Sequence, residues 1–320
     1  MTGLTPGLLP VLRVRSALFV PTTQAKFIAG VDRRGADAVI LDLEDGITPE
    51  GRDAGRANVR AWLRDRRPGV GPAIFSRVSR LSAGQMHDDL AAIVSPALRA
   101  VLLSKVTSVA EIATLSDALA WHEGRCGLPL GSIRIWPLIE TAEALVLADR
   151  IASSSPRIAY LGGATARGGD LAHAIGFDVT ANGLETLYLR SHVLIAARAA
   201  GVPNPITGMY TDLDDPDGFA KFARQSRSLG YEGLMVIHPS HVALANEVFS
   251  PESAAVSGTH AIIDALETAR ERGEGAIRHD GQMIDTAMAD RARRILTDHL
   301  ALAQQQVEPE YAELEHGGNT

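Results

Sequence analysis

Cysteine and long hydrophobic runs are both scarce in this sequence, and each shortage excludes certain classes of protein. Cys126 is the single cysteine, so an intrachain disulfide is excluded, and no Cys/His cluster has the spacing of zinc ligands. No apolar run approaches the roughly 20 residues that cross a bilayer, and residues 1–14 are too short and too interrupted by Pro and Gly for a signal peptide. We therefore expect a cytoplasmic protein with no membrane partner.

An excess of positive charge is also missing. The 320 residues include 31 Lys and Arg against 38 Asp and Glu, for a net charge of −7, so we expect no nucleic-acid partner. An anionic substrate would have to bind through local cations or a metal. The motifs H-E-x-x-H and G-x-S-x-G are absent, which excludes zinc proteases and serine hydrolases of the usual kinds.

Short apolar runs alternate with helical patterns along most of the chain. The strand candidates are Ala17–Val20, Ala38–Leu43, Ala73–Val78, Ala100–Leu103, Ile133–Ile139, Arg157–Leu161, Ile206–Tyr210 and Leu234–Ile237. The helix candidates are Gln24–Gly35, Ser108–His122, Thr141–Ser153, Asn182–Ala200 and Asp215–Leu229. This alternation predicts an α/β fold, a (β/α)8 TIM barrel. A doubly wound sheet is the alternative, but G-x-G-x-x-G does not follow the first strand.

The pattern changes after Phe249. Residues 250–258 have the composition of a linker, and two helices without an intervening strand are predicted at Thr259–Gly273 and Asp285–Gln305. We therefore predict an N-terminal arm over residues 1–14, a TIM barrel over 15–250, and a small C-terminal helical lid with a tail over 251–320.

Carboxylates follow two adjacent strands at the end where a TIM barrel carries its active site. Glu140 follows the fifth strand and Asp170 lies in the loop after the sixth. A salt bridge or a helix N-cap would explain either acid alone. Two carboxylates from adjacent strands, with the other positions left to water and substrate oxygens, favour a Mg²⁺ site, with Mn²⁺ as an alternative ion. Such an ion can act as a Lewis acid on the carbonyl of a 2-keto acid.

Further charged residues follow the second, third and fourth strands. They are Asp42, Glu44, Asp45, Arg77 and Lys105. The planar fork of Arg77 suits a bidentate carboxylate, although an exposed surface arginine is the alternative. Lys105 could form a Schiff base, but nothing nearby marks it as desolvated, so charge pairing is the favoured interpretation.

A glycine-rich loop over residues 162–170 leads into a short helix. Its backbone N–H groups could hold a carboxylate, and a merely flexible loop is the alternative. A run of acids at Asp212, Asp214, Asp215 and Asp217 lacks the glycine and terminal glutamate of a calcium loop. We expect a solvated turn and a helix N-cap there, and we expect His238 to fix the loop after the eighth strand.

Five segments follow the pattern of a known family. They are Arg15–Pro21, Gly35–Asp45, Leu138–Ala142, Ile237–Pro239 and Gly281–Asp285. These segments resemble the HpcH/HpaI aldolase and citrate lyase β-subunit family, and the last resembles the lid segment of its CoA-lyase branch. The resemblance runs from about Arg15 to Leu300, which is nearly the whole chain.

The resemblance implies specific roles for the strand-end residues. Mg²⁺ would bind Glu140 and Asp170, with Glu140 thereby contributing to substrate binding. Arg77 would bind the substrate carboxylate and take part in catalysis, and backbone amides near Gly168 and Gly169 would hold the other end of the substrate. A second group would surround the metal waters and ligands: Asp42, Glu44, Asp45 and Lys105.

The resemblance also implies an activity and an assembly. The chain would be a Mg²⁺-dependent carbon–carbon lyase that cleaves or forms a 3-hydroxyacyl-CoA, of the malyl-CoA or citryl-CoA type, with an acyl-CoA and a 2-keto acid as the other reactants. Asp285, from the lid of a neighbouring subunit, would handle the proton of the acyl-CoA enolate in a homotrimer or hexamer. The alternatives are an aldolase acting on free 4-hydroxy-2-oxo acids and a non-catalytic citrate lyase β-like subunit of a larger complex.

Overall fold

The computed structural model describes residues 11–180, 182–251, 253–272, 275–279 and 282–314. Two compact units divide the chain, one over Met1–Phe249 and the other over Ser250–Thr320. None of the helices in the described ranges is both long and apolar enough to cross a membrane.

Eight parallel strands form the first unit's sheet. They are β1 (Ser16–Pro21), β2 (Ala38–Asp42), β3 (Ala73–Val78), β4 (Leu98–Leu103), β5 (Arg134–Pro137), β6 (Tyr160–Leu161), β7 (Asn204–Thr207) and β8 (Gly233–Val236). Their order is β5-β4-β3-β2-β1-β8-β7-β6. Isolated bridges join Ile135 to Ile158 and Leu138 to Gly162, which brings β5 and β6 together and nearly closes the barrel. The predicted TIM barrel is confirmed.

Helices surround the strands. They are α1 (Ala25–Ala29), α2 (Arg52–Arg64), α3 (Met86–Ile93), α4 (Val109–Arg125), α5 (Ala142–Val146), α6 (Ala148–Ala152), α7 (Asp170–Ile175), α8 (Leu184–Ala199), α9 (Pro216–Leu229) and α10 (Val242–Phe249). Ser108 and Glu111 form a capping box that starts α4, because each side chain bonds a backbone N–H left free at the helix terminus.

Alternate residues of each strand enter two different cores, because successive side chains point to opposite faces. Val39 and Leu41 pack outward against the helices, whereas Ile40 points into the barrel. Small inward residues leave room for a cluster of three aromatic rings: Phe75, Trp136 and Tyr160. Their ring centroids lie 5.0–6.1 Å apart, so side chains fill the barrel interior, as is usual for this fold.

The second unit differs from its prediction. It contains α11 (Ser253–Glu271), an antiparallel pair of strands β9 (Ala276–His279) and β10 (Gln282–Asp285), and α12 (Thr286–Leu314). The expectation of no strand between the two helices was therefore wrong, and α11 begins inside the segment expected to be a linker. Cross-strand hydrogen bonds stabilise such a pair over four residues each, a length too short for alternation to be visible in the sequence.

Candidate active site

The strand-end residues predicted from the sequence converge at the C-terminal end of the barrel. Parallel strands end at the same edge, so residues far apart in the chain become neighbours there. The group comprises Asp42 at the end of β2, Glu44 and Asp45 after it, Arg77 on β3, Lys105 after β4, Glu140 after β5 and Asp170 at the start of α7. Ion pairs and electrostatic interactions connect all seven.

Arg77 lies at the centre of this group and is 8% exposed, so it is not a surface arginine. Its Nε and Nη2 donate to the two oxygens of Asp42 at 2.8 and 2.6 Å. Its Nη1 lies 3.2 Å from Glu44 Oε2 and 3.6 Å from Asp45 Oδ2. One edge of the fork is thus already bidentate to a carboxylate, and Nη1 is the part directed toward the remaining acids.

Asp42 is held rigidly by the turn that follows β2. Its Oδ1 accepts from the N–H of Glu44 at 3.0 Å and its Oδ2 accepts from the N–H of Gly46 at 2.9 Å. A Cβ on residue 46 would lie 2.3 Å from Asp42 Oδ2, so glycine is required for this approach. Asp42 therefore fixes both the turn and the orientation of Arg77.

Lys105 connects two parts of the site through its backbone and its side chain. Its φ of 49° places it in the left-handed region, where no other described residue except glycine lies. Its N–H donates to Glu140 Oε1 at 2.7 Å, while Nζ lies 2.8 Å from Asp45 and 3.0 Å from Glu44. Although burial lowers it, hydrogen bonds to these two acids raise the pKa of Lys105 overall. The charge-pairing interpretation agrees with this geometry, whereas a Schiff-base lysine needs a lowered pKa.

Glu140 and Asp170 differ in their surroundings. Glu140 is 3% exposed, and burial raises its pKa to about 7 against the lowering effects of the Lys105 N–H and of Arg77. The negative charge of Asp170 contributes to this rise. Asp170 is the first residue of α7, and its Oδ1 lies 3.7 Å from Lys105 Nζ.

The charges at this edge do not balance. Five carboxylates face two cations, Arg77 and Lys105, so the seven site residues include three more carboxylates than cations. Asp45 and Asp170 are exposed, whereas Glu44 and Glu140 are buried. Charge on a buried carboxylate is costly unless it is paired or coordinates a metal. Within the described ranges, no three His, Cys, Asp or Glu side chains form a closed metal cage. A two-carboxylate site fits Mg²⁺, which keeps several waters, and not a structural zinc site.

The glycine-rich loop is shaped by close packing as well as by the site. A Cβ on Gly162 would lie 1.6 Å from the backbone oxygen of Ile206, so this glycine lets β6 approach β7. Gly168 has a φ of +65°. The N–H of Gly169 donates to the carbonyl of Ala166 at 3.1 Å. Of the two amides predicted to hold the substrate, that of Gly169 is therefore already bonded within the loop.

Asp285 lies in the second unit, at the end of β10. Its side chain is exposed, and Oδ1 accepts from the N–H of Met288 at 3.1 Å. It therefore caps the first turn of α12. Gly281, which belongs to the same predicted segment, lies outside the described residues.

Two minor predictions are confirmed. The side chain of Asp215 accepts from the N–H of Gly218 at 2.8 Å and caps α9. His238 Nδ1 accepts from the N–H of Ser240 at 3.2 Å and thereby fixes the turn after β8.

Two contributors were missed from the sequence. Phe19 on β1 lies under the guanidinium of Arg77, 4.9 Å from ring centroid to Cζ, which is a favourable cation–π geometry. Gly46 makes the Asp42 turn possible. Phe19 lies within a segment that resembles the family, but its contact depends on strand register, and register is not visible in one strand alone.

Comparison with known proteins places this chain in a family. The model of the HpcH/HpaI aldolase/citrate lyase family matches residues 15–239. A citrate lyase subunit beta-like protein of Deinococcus radiodurans is 36% identical over 90% of this chain and 98% of its own length. An L-malyl-CoA/beta-methylmalyl-CoA lyase of Cereibacter sphaeroides is 29% identical over 88% and 93% of the two chains.

A solved structure supports the same fold. Protein CitE from Mycobacterium tuberculosis, in complex with magnesium, acetoacetate and coenzyme A, superposes with a TM-score of 0.69. It is 23% identical and covers 89% of this chain and 97% of its own. Since the family model covers well over half of the chain and one relative is 36% identical over 90% of it, this protein belongs to the HpcH/HpaI aldolase/citrate lyase family.

Proposed function

We propose that this protein is a Mg²⁺-dependent carbon–carbon lyase acting on a 3-hydroxyacyl-CoA, which it cleaves to, or forms from, an acyl-CoA and a 2-keto acid. The observation that carries the proposal is the excess of three carboxylates over the two cations, Arg77 and Lys105, at the strand ends. Relatives named for citrate lyase and malyl-CoA lyase, and a fold neighbour holding magnesium and coenzyme A, support the reaction class.

Glu140 and Asp170 would hold the ion, and Mn²⁺ would use the same oxygens. Bound Mg²⁺ would supply Lewis acidity to the substrate's keto or alkoxide oxygen. Arg77 Nη1 would bind the substrate carboxylate, because its other edge is occupied by Asp42. The backbone N–H of Gly168 would hold the other end of the substrate, because the N–H of Gly169 already donates to the carbonyl of Ala166.

Around these groups, Asp42, Glu44, Asp45 and Lys105 would orient the metal waters and keep Arg77 in place. Lys105 has a further role, because its backbone N–H fixes Glu140 Oε1 while its charge offsets the neighbouring acids. The cytoplasm is the proposed location.

The proton of the acyl-CoA enolate requires a general acid and base. We assign it to Asp285, acting as a lid residue on the site of a neighbouring subunit in a homotrimer or hexamer. Mixing Asp285→Asn with Glu140→Gln tests this, because a mixed oligomer would contain sites with both residues intact. Recovery of activity on mixing is expected, and no recovery in a proven mixed oligomer would refute action across subunits.

The activity is tested by mass spectrometry with Mg²⁺, offering acetyl-CoA and propionyl-CoA against glyoxylate, pyruvate and oxaloacetate. We expect one new 3-hydroxyacyl-CoA, lost on adding a chelator and absent with Glu140→Gln. Cleavage of a free 4-hydroxy-2-oxo acid without any CoA adduct would instead identify a free-acid aldolase. Keto-acid binding without turnover in every combination would identify a non-catalytic subunit.

A further inference from the structure

The outer side of α8 is apolar, which is unusual for a helix at the surface of a barrel. The exposed residues of this helix are Leu184, Leu187, Tyr188, Ile195 and Ala199. The spacing of Leu184, Tyr188 and Ile195 by four and seven residues places them on one side of the helix. The inner side is apolar as well, because Leu189, Val193 and Ala197 are buried in the core. A helix that is apolar on both sides is normally buried on both.

The charged side chains of α8 bind groups of their own chain. Glu185 accepts from the N–H and the hydroxyl of Thr180 at 2.8 and 2.7 Å. Arg198 is half-buried and donates to Glu232 Oε1 at 2.7 Å, and Arg190 is buried. None of the three is therefore an exposed residue of the helix.

The next helix, α9, has the pattern expected at a surface. Its exposed residues include Asp217, Lys221 and Arg224, and charged side chains normally occupy the solvent side of such a helix. The lack of charge on the outer side of α8 is thus a property of that helix and not of the whole ring of helices.

The apolar surface continues from α8 onto α5. Tyr188 stacks on His192, with ring centroids 5.7 Å apart, and His192 Nε2 lies 3.0 Å from the carbonyl oxygen of Leu145. Val146, the next residue and the last of α5, is 77% exposed. These contacts connect the exposed side chains of the two helices into one surface. We call this surface the α5–α8 face, formed by Val146, Leu184, Leu187, Tyr188 and Ile195.

The size of the α5–α8 face suits the centre of a protein–protein interface. Its five side chains are 37–77% exposed, so together they present apolar surface on the order of several hundred Å², and monomers rarely expose larger contiguous patches. A specific interface buries about 800 Å² on each partner, with an apolar centre and a polar rim. The face therefore provides much of the apolar centre that such an interface needs.

The α5–α8 face also lies beside the proposed active site. Helix α5 begins two residues after Glu140 and has five residues, which span about 8 Å. It also packs against α7, whose first residue is Asp170. A molecule bound to the face would therefore border the strand ends.

We infer that the α5–α8 face is the surface on which a second copy of this chain docks, next to the active site. The choice of a second copy rests on the proposed function, in which Asp285 reaches the site of a neighbouring subunit. The composition agrees, because the five residues of the face carry no charge, and interfaces between identical subunits are more apolar than those with transient partners. A charged partner would find no complementary charge on these residues to guide its approach.

Sedimentation equilibrium of the full-length protein tests the face without any substrate. We expect the wild type to sediment as an oligomer at micromolar concentration. Tyr188→Glu and Ile195→Glu should each raise the dissociation constant at least about 30-fold, because each removes a central apolar side chain and buries a charge in the contact. Leu130→Glu is the matched control, since Leu130 is 63% exposed outside the face, and it should keep the mass of the wild type.

Thiol labelling gives a second measurement that tolerates a glutamate variant that fails to fold. In a Cys126→Ser background, the new thiol of Ile195→Cys should react slowly with a maleimide when the protein is assembled and quickly after dilution below the dissociation constant. The thiol of Leu130→Cys should react equally fast in both conditions. Fast labelling of Ile195→Cys in the assembled protein would overturn the inference.

The remaining outcomes separate the face from the proposed reaction. A wild type that stays monomeric, or a Tyr188→Glu variant that keeps the wild-type dissociation constant, would refute the face and leave the lyase activity to its own assay. A wild-type oligomer that these variants dissociate but that never turns over a thioester would refute the lyase and support the face.

Discussion

Glu140 should destabilise the metal-free protein, and replacing it by glutamine should stabilise the fold at the expense of metal binding. Burial raises the pKa of Glu140 from its ordinary value of 4.5 to about 7. A shift of this size corresponds to about 3 kcal/mol of unfavourable free energy for the ionised form in the fold. The side-chain amide introduced by Glu140→Gln would carry no charge, and its oxygen could still accept from the Lys105 N–H.

The stability of the fold depends on pH because the pKa of Glu140 differs between the folded and unfolded states. Because the pKa is raised on folding, the unfolded chain releases this proton first, and the fold loses stability as the pH rises from 4.5 through 7. Glu140→Gln should therefore raise the free energy of unfolding by about 3 kcal/mol at pH 8 and by under about 1 kcal/mol at pH 5. For a chain of this size, the gain at pH 8 corresponds to a melting temperature about 4–6 °C higher.

Thermal melts in chelator and in Mg²⁺ provide the assay. Mg²⁺ should raise the melting temperature of the wild type, because a ligand stabilises the state that binds it. At a Mg²⁺ concentration of one hundred times Kd, the free energy of unfolding rises by about 2.7 kcal/mol. The melting temperature of the variant should rise much less, so the difference in melting temperature between the two proteins becomes smaller in Mg²⁺. A variant that melts below the wild type in chelator at pH 8 would refute the reasoning, as would an equal response to Mg²⁺.

Three further changes test the fold and the proposed chemistry. Glu123→Gln breaks a buried pair in which Arg157 donates twice at 2.8 Å, and it should cost about 3–5 kcal/mol of unfolding free energy. Although burial raises it, the bonds from Arg157 and backbone N–H groups lower the pKa of Glu123 from its ordinary value of 4.5, so this cost should shrink as the pH falls below that value. Gly162→Ala should cost about 3 kcal/mol in urea unfolding, because its Cβ would collide with the Ile206 carbonyl. Asp285→Asn should slow turnover about 100-fold or more in a coupled assay without changing Mg²⁺ affinity.

Matched variants control each of these tests. Glu143→Gln changes an exposed glutamate and should leave stability unchanged. Gly124→Ala adds a Cβ that meets no atom within 4 Å and should be neutral or stabilising in its helix. Asp264→Asn alters an exposed acid of α11 and should keep full activity. Test variants that behave like these controls would contradict the corresponding structural assignment.

The barrel was predictable because its strands carry their own pattern. The third strand was predicted with the bounds observed for β3, since a run of β-branched and aromatic residues buried on both faces stands out. β6 was predicted three residues too long, because residues 157–159 contribute only an isolated bridge between Ile158 and Ile135. The helices α2, α3 and α10 were not predicted. In α2, arginines and Gly55 obscure the apolar stripe, although Gly55 is needed where its Cβ would lie 2.7 Å from Thr22 Oγ1.

The identity of the residues in the site was more predictable than the contacts between their atoms. Strand ends in a barrel share one edge, so the convergence of Glu140, Asp170, Arg77 and Lys105 followed from the fold. Three details did not follow from the fold: the hydrogen bonds from Arg77 to Asp42, the left-handed backbone of Lys105 and the bonded amide of Gly169. Each depends on atomic distances that no residue pattern encodes.

The rings of Phe75, Trp136 and Tyr160 fill the barrel interior below the strand ends, and this has a kinetic consequence for a lyase. Both products of cleavage have to leave through the same opening by which the substrate entered. The fragment bound deeper, at the strand ends, is then blocked until the shallower one has gone. Release is therefore ordered, and the deeper fragment, the keto acid in the proposed reaction, should inhibit the cleavage direction competitively against the thioester.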